Sequence, residues 1–254
     1  MRLFKALDVE GRSTGGQEFP WPLPHGKRPG KWLPTVEGDL VAYRRGYQVY
    51  TKDQVLDWLG PQIWEVEVRG DVVDAGRMTV VRSVRIIAAT CWDQRVARLF
   101  ACDCATRALR RERRAGREPD ARSWEAIRVA RLYAEGKATK QELTAAGVAA
   151  GYAWTATDVA WTAGKAAAKA AWDAIAAAFA ATEVAPGTPA WATWNASAAT
   201  MGASWNATEA AACAASAAWN GTGEAAWKAE RRWQAKCLLN YLDGKRGQPE
   251  EVTP

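Results

Sequence analysis

From Trp64 to Gly70 apolar and charged residues alternate strictly. Trp64, Val66 and Val68 fall on one side of an extended chain, with Glu65, Glu67 and Arg69 on the other. A period of two predicts a half-buried strand. The segment at 79–87, Thr-Val-Val-Arg-Ser-Val-Arg-Ile-Ile, predicts another, and 39–50 predicts one or two more around Gly46. Between them Thr51 and Gln54 stand at capping-box spacing ahead of an apolar turn that stops at Gly60, which predicts a short helix over 51–60. Pro20, Pro22, Pro24, Pro29 and Pro34 break the stretch ahead of these elements.

Beyond Cys91 the period lengthens to about 3.6. Trp92, Val96, Leu99, Phe100 and Cys104 share one face of a helix over 92–115, with Asp103 at the edge of that face. A second helix is predicted over 120–136, with a proline near its start and Gly136 at its end. Thr139 and Glu142 form another capping box and open an alanine-rich stretch. Alanine is the best helix former, so two long helices are expected, at about 139–184 and 190–243, joined around Gly187 in an antiparallel hairpin. The internal glycines, among them Gly221 and Gly223, predict fraying or kinks. Trp154, Trp161 and Trp172 on the first long helix, and Trp194, Trp205 and Trp219 on the second, recur at nearly whole numbers of turns. Each set forms one stripe, expected as the packing seam of the pair. Trp191 and Trp227 lie about 60° to one side of the stripe and Trp233 about 60° to the other, at positions expected to be partly exposed and to form an interface.

The predicted fold class is therefore α+β. A small N-terminal mixed β-sheet domain occupies 1–90, followed by an all-helical region over 91–254 dominated by the long alanine-rich hairpin.

Composition narrows the chemistry. The 254 residues carry 34 Lys and Arg against 28 Asp and Glu, a net charge of +6, which permits an acidic partner without requiring one. The single histidine, His25, excludes a site built on two or three imidazoles. Cys91, Cys102, Cys104, Cys213 and Cys237 follow no CxxC spacing, so free thiols without metal are expected. The chain shows neither a signal-peptide pattern nor an uninterrupted apolar span, which predicts a soluble, cytosolic protein without membrane contact. In that setting the sequons at Asn195, Asn206 and Asn220 are coincidences of a repeated Trp-Asn pattern. The densest charge run, with Arg107, Arg110, Arg111, Arg113, Arg114 and Arg117, reads as a solvated helix end or as a phosphate-binding patch at Arg110, Arg111, Arg113 and Arg114. No P-loop, nucleophile elbow or GxGxxG motif is present.

The order from Leu3-Phe4-Lys5-Ala6-Leu7 through Gly46-Tyr47-Gln48-Val49-Tyr50-Thr51 to the strands at 64–70 and 79–87 resembles a domain of unknown function found in phage and bacterial proteins. The alanine- and tryptophan-rich remainder is similar to the helical tails of such proteins, some of them regarded as immunity proteins. The same N-terminal order also resembles small ADP-ribosyltransferases of the rifampin-modifying type. That second resemblance implies a pocket for NAD or a related nucleotide, with Val49-Tyr50-Thr51 at the family's tyrosine element and Asp71 or Asp74 at its acidic one. Phe4-Lys5-Ala6 stands where that family places a histidine. The favoured expectation is a non-catalytic protein-binding or structural module that needs no cofactor and whose long helices contact a protein partner or a second copy. Nucleotide binding at Tyr50, Asp71 and Asp74, and nucleic-acid binding through the 107–117 run, are the alternatives.

Overall fold

The computed structural model describes residues 1–13, 19–155 and 207–246, with 151–155 described as backbone only. The chain forms two compact units, Met1–Trp92 and Asp93–Pro254, and the class is α+β.

In the first unit four strands, β1 (Leu3–Leu7), β2 (Tyr47–Val49), β3 (Gln62–Asp74) and β4 (Thr79–Ala89), form one sheet in the order β1-β3-β4-β2. The sheet, expected as mixed, is antiparallel in every pair. It also curls until its two edges meet. Phe4 and Tyr50 exchange both backbone hydrogen bonds at 2.8 Å, so β1 is bridged to the residue that follows β2. The alternation of Trp64, Val66 and Val68 is borne out: Val66 belongs to a buried cluster with Leu3, Leu7, Trp21, Val49 and Val84, and Trp64 and Val68 pack against it. β3 runs further than the alternation indicates because the ladder shifts register between Arg69 and Val72, where Gly70 takes a φ of 76°. Gly46, at φ 116°, lets the chain enter β2 beside β4; a Cβ there would lie 2.4 Å from Val80.

The helix expected over 51–60 is a single 3-10 turn, Gln54–Asp57. Its capping box does form: the Thr51 amide donates to Gln54 Oε1 at 3.0 Å, and the Gln54 amide to Thr51 Oγ1 at 3.3 Å. The Gln54 side chain is also held by the Thr79 hydroxyl at 2.9 Å and donates to the Gly76 carbonyl at 3.0 Å. Those tertiary bonds tie the turn to the start of β4 and to the turn that precedes it.

The second unit contains α1 (Gln94–Arg114), α2 (Ala121–Ala134), α3 (Lys140–Thr155), α4 (207–222) and α5 (Glu224–Leu242). Trp92, expected to start the first helix, precedes it; its indole N–H donates to the Gly60 carbonyl at 2.9 Å within the first unit. The cap is Asp93, which accepts from the Val96 amide at 2.7 Å. Thr139 and Glu142 form their capping box as expected. Most of α4's buried surface is alanine, with Ala207, Ala210, Ala211, Ala214, Ala217 and Ala218 each 0% exposed, so neighbouring backbones approach closely. The long helix expected over 190–243, with fraying or kinks at its internal glycines, is interrupted at one of them, Gly223, whose φ of 83° suits glycine and ends α4 before α5 begins. The hairpin around Gly187, the stretches at 156–184 and 190–206, and the stripe positions Trp161, Trp172, Trp194 and Trp205 lie outside the described residues, as does the side chain of Trp154. Among the described residues no helix is long and apolar enough to cross a membrane.

Candidate functional site

In the first unit the residues expected to hold a nucleotide are each engaged in the fold. Tyr50 is 3% exposed and stacks on Trp58, with ring centroids 5.7 Å apart. Burial, and secondarily the neighbouring Tyr43 phenol, push the Tyr50 hydroxyl above its ordinary range. Asp71 pairs with Arg82 at 2.6 Å on the exposed stretch of β3. Asp74 shapes the β3–β4 turn, accepting from the Gly76 amide at 2.9 Å and from the Gln54 side chain at 3.1 Å. These contacts account for all three without a ligand, and Gln54 links the Tyr50 turn to Asp74.

A residue that the sequence reading passed over carries the more unusual chemistry. Lys5 lies on the face of β1 shared by Leu3 and Leu7 and is 2% exposed. Its ammonium donates to the Gln48 carbonyl at 3.0 Å, 4.8 Å from the centre of the Trp21 ring and 5.7 Å from that of Tyr50. Among the described residues no carboxylate pairs with it, and desolvation brings its pKa down to about 7. Trp21 in turn stacks on Phe19, meets Tyr47 edge-on, and keeps its buried indole N–H without a hydrogen-bond partner. The signal was available in the spacing Leu3-x-Lys5-x-Leu7, which puts a cation on a core face.

In the second unit the arginine run divides. Arg107 and Arg111 both bind Glu230, whose side chain is 0% exposed; Arg113 pairs with Glu118 at 2.7 Å, and Arg117 with Glu112 at 2.8 Å. Of the four proposed phosphate contacts, Arg111 and Arg113 therefore already have carboxylate partners, while Arg110 and Arg114 have no ion-pair partner among the described residues. Four of the six arginines are thus paired, two with the local Glu112 and Glu118 and two with Glu230, more than a hundred residues away.

Asp103, expected at the edge of an apolar face, is a second hub. It accepts from Arg131 at 2.8 Å, from the Tyr241 hydroxyl at 2.8 Å and from Arg246 at 2.7 Å. With Glu230 it ties α1 to α2, α5 and the turn that follows α5. The five cysteines are free thiols, Cys91 exposed and the others buried. Burial raises Cys102 and Cys237 to about 12 and Cys104 well above its ordinary value, so these three stay protonated and unreactive at neutral pH. Among the described residues no group of three His, Cys, Asp or Glu side chains is placed to hold a metal ion.

Among the described residues, the tryptophans around Gly223 are the largest exposed apolar side chains of this unit. Trp219 is 50% exposed and Trp227 38%. With Ser216 and Asn220 they line an open groove of about 480 Å³. Trp227 was expected at an exposed flank, whereas Trp219 was expected in the buried seam. The stop at Gly223 ends α4 one turn beyond Trp219, whose ring is at the surface. Trp233, the other expected flank residue, is half-buried under the Arg107 guanidinium, 4.5 Å from its ring centre, and Trp191 lies outside the described residues.

Compared with known proteins, the chain matches no family model, no curated protein and no solved structure.

Proposed function

We propose that the protein is a non-catalytic protein-binding module, phage-borne or part of a bacterial defence system as the N-terminal resemblance implies, acting in the cytosol. The observation that carries this reading is the paired exposure of Trp219 and Trp227 on either side of Gly223. Tryptophan is among the residues most enriched at the centres of protein interfaces, and two large indoles held in water around one groove are favoured to become buried. A second copy of the chain is the partner that meets this patch most simply, because a two-fold contact sets each tryptophan pair over the other. The buried, protonated thiols and the engaged carboxylates support a binding role over a catalytic one. Light scattering on the full chain tests the reading. A mass rising with concentration toward twice the 27.7 kDa of one chain is expected, and a constant mass of 27.7 kDa at high concentration contradicts self-association.

A further inference from the structure

The turn before β2 has a feature that the fold does not require. Residues 41–45 are closed by a hydrogen bond from the Val41 amide to the Arg45 carbonyl at 2.8 Å, and by return bonds from the Arg44 and Arg45 amides to the Val41 carbonyl at 3.0 and 2.8 Å. Within this turn Tyr43 has a φ of 63°, and it is the one non-glycine residue with positive φ among those described. A bulky side chain in the left-handed region is strained, and glycine would occupy the same backbone freely. The chain does use glycine three positions later, at Gly46. The turn's backbone hydrogen bonds hold this conformation, but the side chain adds nothing to it: the Tyr43 ring is 66% exposed and, among the described residues, makes no hydrogen bond and no ring contact. Residues held in sparsely populated backbone regions cluster at binding sites, where the displayed side chain meets a ligand.

The chemistry around the ring indicates the kind of ligand. Arg44 and Arg45 follow directly, both exposed, and neither has an ion-pair partner among the described residues. Arg45 lies along Gly38, between Glu37 and Asp39, without engaging either. From 40 to 52 the chain carries three cations, Arg44, Arg45 and Lys52, and no acid. The neighbouring Tyr50 is buried and stacked on Trp58, whose ring the Arg77 guanidinium covers with its centre 5.6 Å away, so Tyr43 supplies the open aromatic face. An exposed aromatic face followed directly by two guanidinium groups suits flat bases joined by phosphates. A protein interface would instead want a broader apolar centre depleted in charge.

We propose that the Val41–Arg45 turn is a binding site for single-stranded nucleic acid, in which Tyr43 stacks on a base and Arg44 and Arg45 engage the flanking phosphates. This activity belongs to the first unit and does not depend on the tryptophan groove of the second. The test is fluorescence anisotropy of the full-length protein with labelled mixed-sequence 15-mers of single-stranded DNA and RNA, titrated at two salt concentrations. Wild-type protein is expected to bind at least one of them, more weakly at the higher salt. Tyr43→Gly is expected to keep or raise the melting temperature, since glycine relieves the positive φ, while weakening binding about 5- to 100-fold through loss of the stacking face. Tyr43→Asn, which tolerates the same backbone, provides a second folded variant with the same expected loss. Arg44→Gln with Arg45→Gln is expected to flatten the salt dependence. Absence of binding by the wild type overturns the proposal. So does equal affinity in both Tyr43 variants, or binding abolished instead by Arg110→Gln with Arg114→Gln.

Discussion

Lys5 in the first unit and Glu230 in the second are both buried charges, 2% and 1% exposed, yet their surroundings are opposite. Lys5 has one carbonyl and aromatic rings about it. Glu230 has the guanidinium groups of Arg107 and Arg111 and the Gln234 side chain. The contrast follows from what else each unit contains. The sheet is held by large residues whose shapes specify their neighbours, Phe4, Leu7, Ile63, Met78 and Ile86 among them, so it tolerates one poorly solvated cation. The helices bury large residues too, Phe100, Leu109 and Leu238 among them, but α4 packs almost wholly through alanines, which allow close approach and hardly distinguish one register from another. There the polar hubs at Glu230 and Asp103 set which faces of α1, α2 and α5 meet, a role that buried polar groups fill best when every member is satisfied.

The sharpest way to break this comparison is to remove Glu230. Glu230→Ala leaves Arg107 and Arg111 without their acceptor and is expected to cost the helical unit about 3–5 kcal/mol, read from chemical denaturation followed by circular dichroism. A loss below about 1 kcal/mol would make the hub incidental to helix pairing.

Lys5 sharpens the other side through pH. Its pKa of about 7 in the folded protein lies below the ordinary 10.5. Between those values the unfolded chain holds a proton that the folded chain lacks, so stability rises with pH across that window, by about 1.4 kcal/mol per unit where the difference is complete. Below pH 7 both states are protonated and the cost of burying the ammonium is felt in full. Lys5→Met is expected to abolish the rise and to stabilise the first unit more at pH 6 than at pH 10. Thermal melts across the range check this, and a slope unchanged in the variant would assign it to other groups.

The smallest effect is expected at the surface. Arg113→Gln removes an exposed pair with Glu118, so it is expected to leave the denaturation midpoint unchanged within error.

Legibility in the sequence followed side-chain size and the distance between partners. The alternation at 64–70, the capping boxes at Thr51 and Thr139 and the helix over Gln94–Arg114 are local patterns, and each appears close to its predicted place. The single turn at Gln54 was not legible, because Thr79 and Gly76 hold that side chain from far along the chain. The pairing of Arg107 and Arg111 was hidden for the same reason, whereas Glu112 and Glu118 stand only five residues from their partners. The acceptor Glu230 begins a stripe with Gln234, Cys237, Leu238 and Tyr241, all on one helical face, and that spacing was a usable sign of a polar group facing inward. The alanine-rich helices gave a period for their tryptophans but no size contrast to fix depth, so Trp219 was assigned to the seam. At the end of α4, one turn before Gly223, its ring is half exposed.

The paired tryptophans carry the functional reading, and sedimentation equilibrium of the wild type beside a Trp219→Ser, Trp227→Ser variant measures their role most directly. The account predicts a wild-type dimer and a variant that sediments at the 27.7 kDa of one chain with an unchanged circular dichroism spectrum. Identical association in the two proteins would contradict it, as would a wild type that remains at 27.7 kDa throughout.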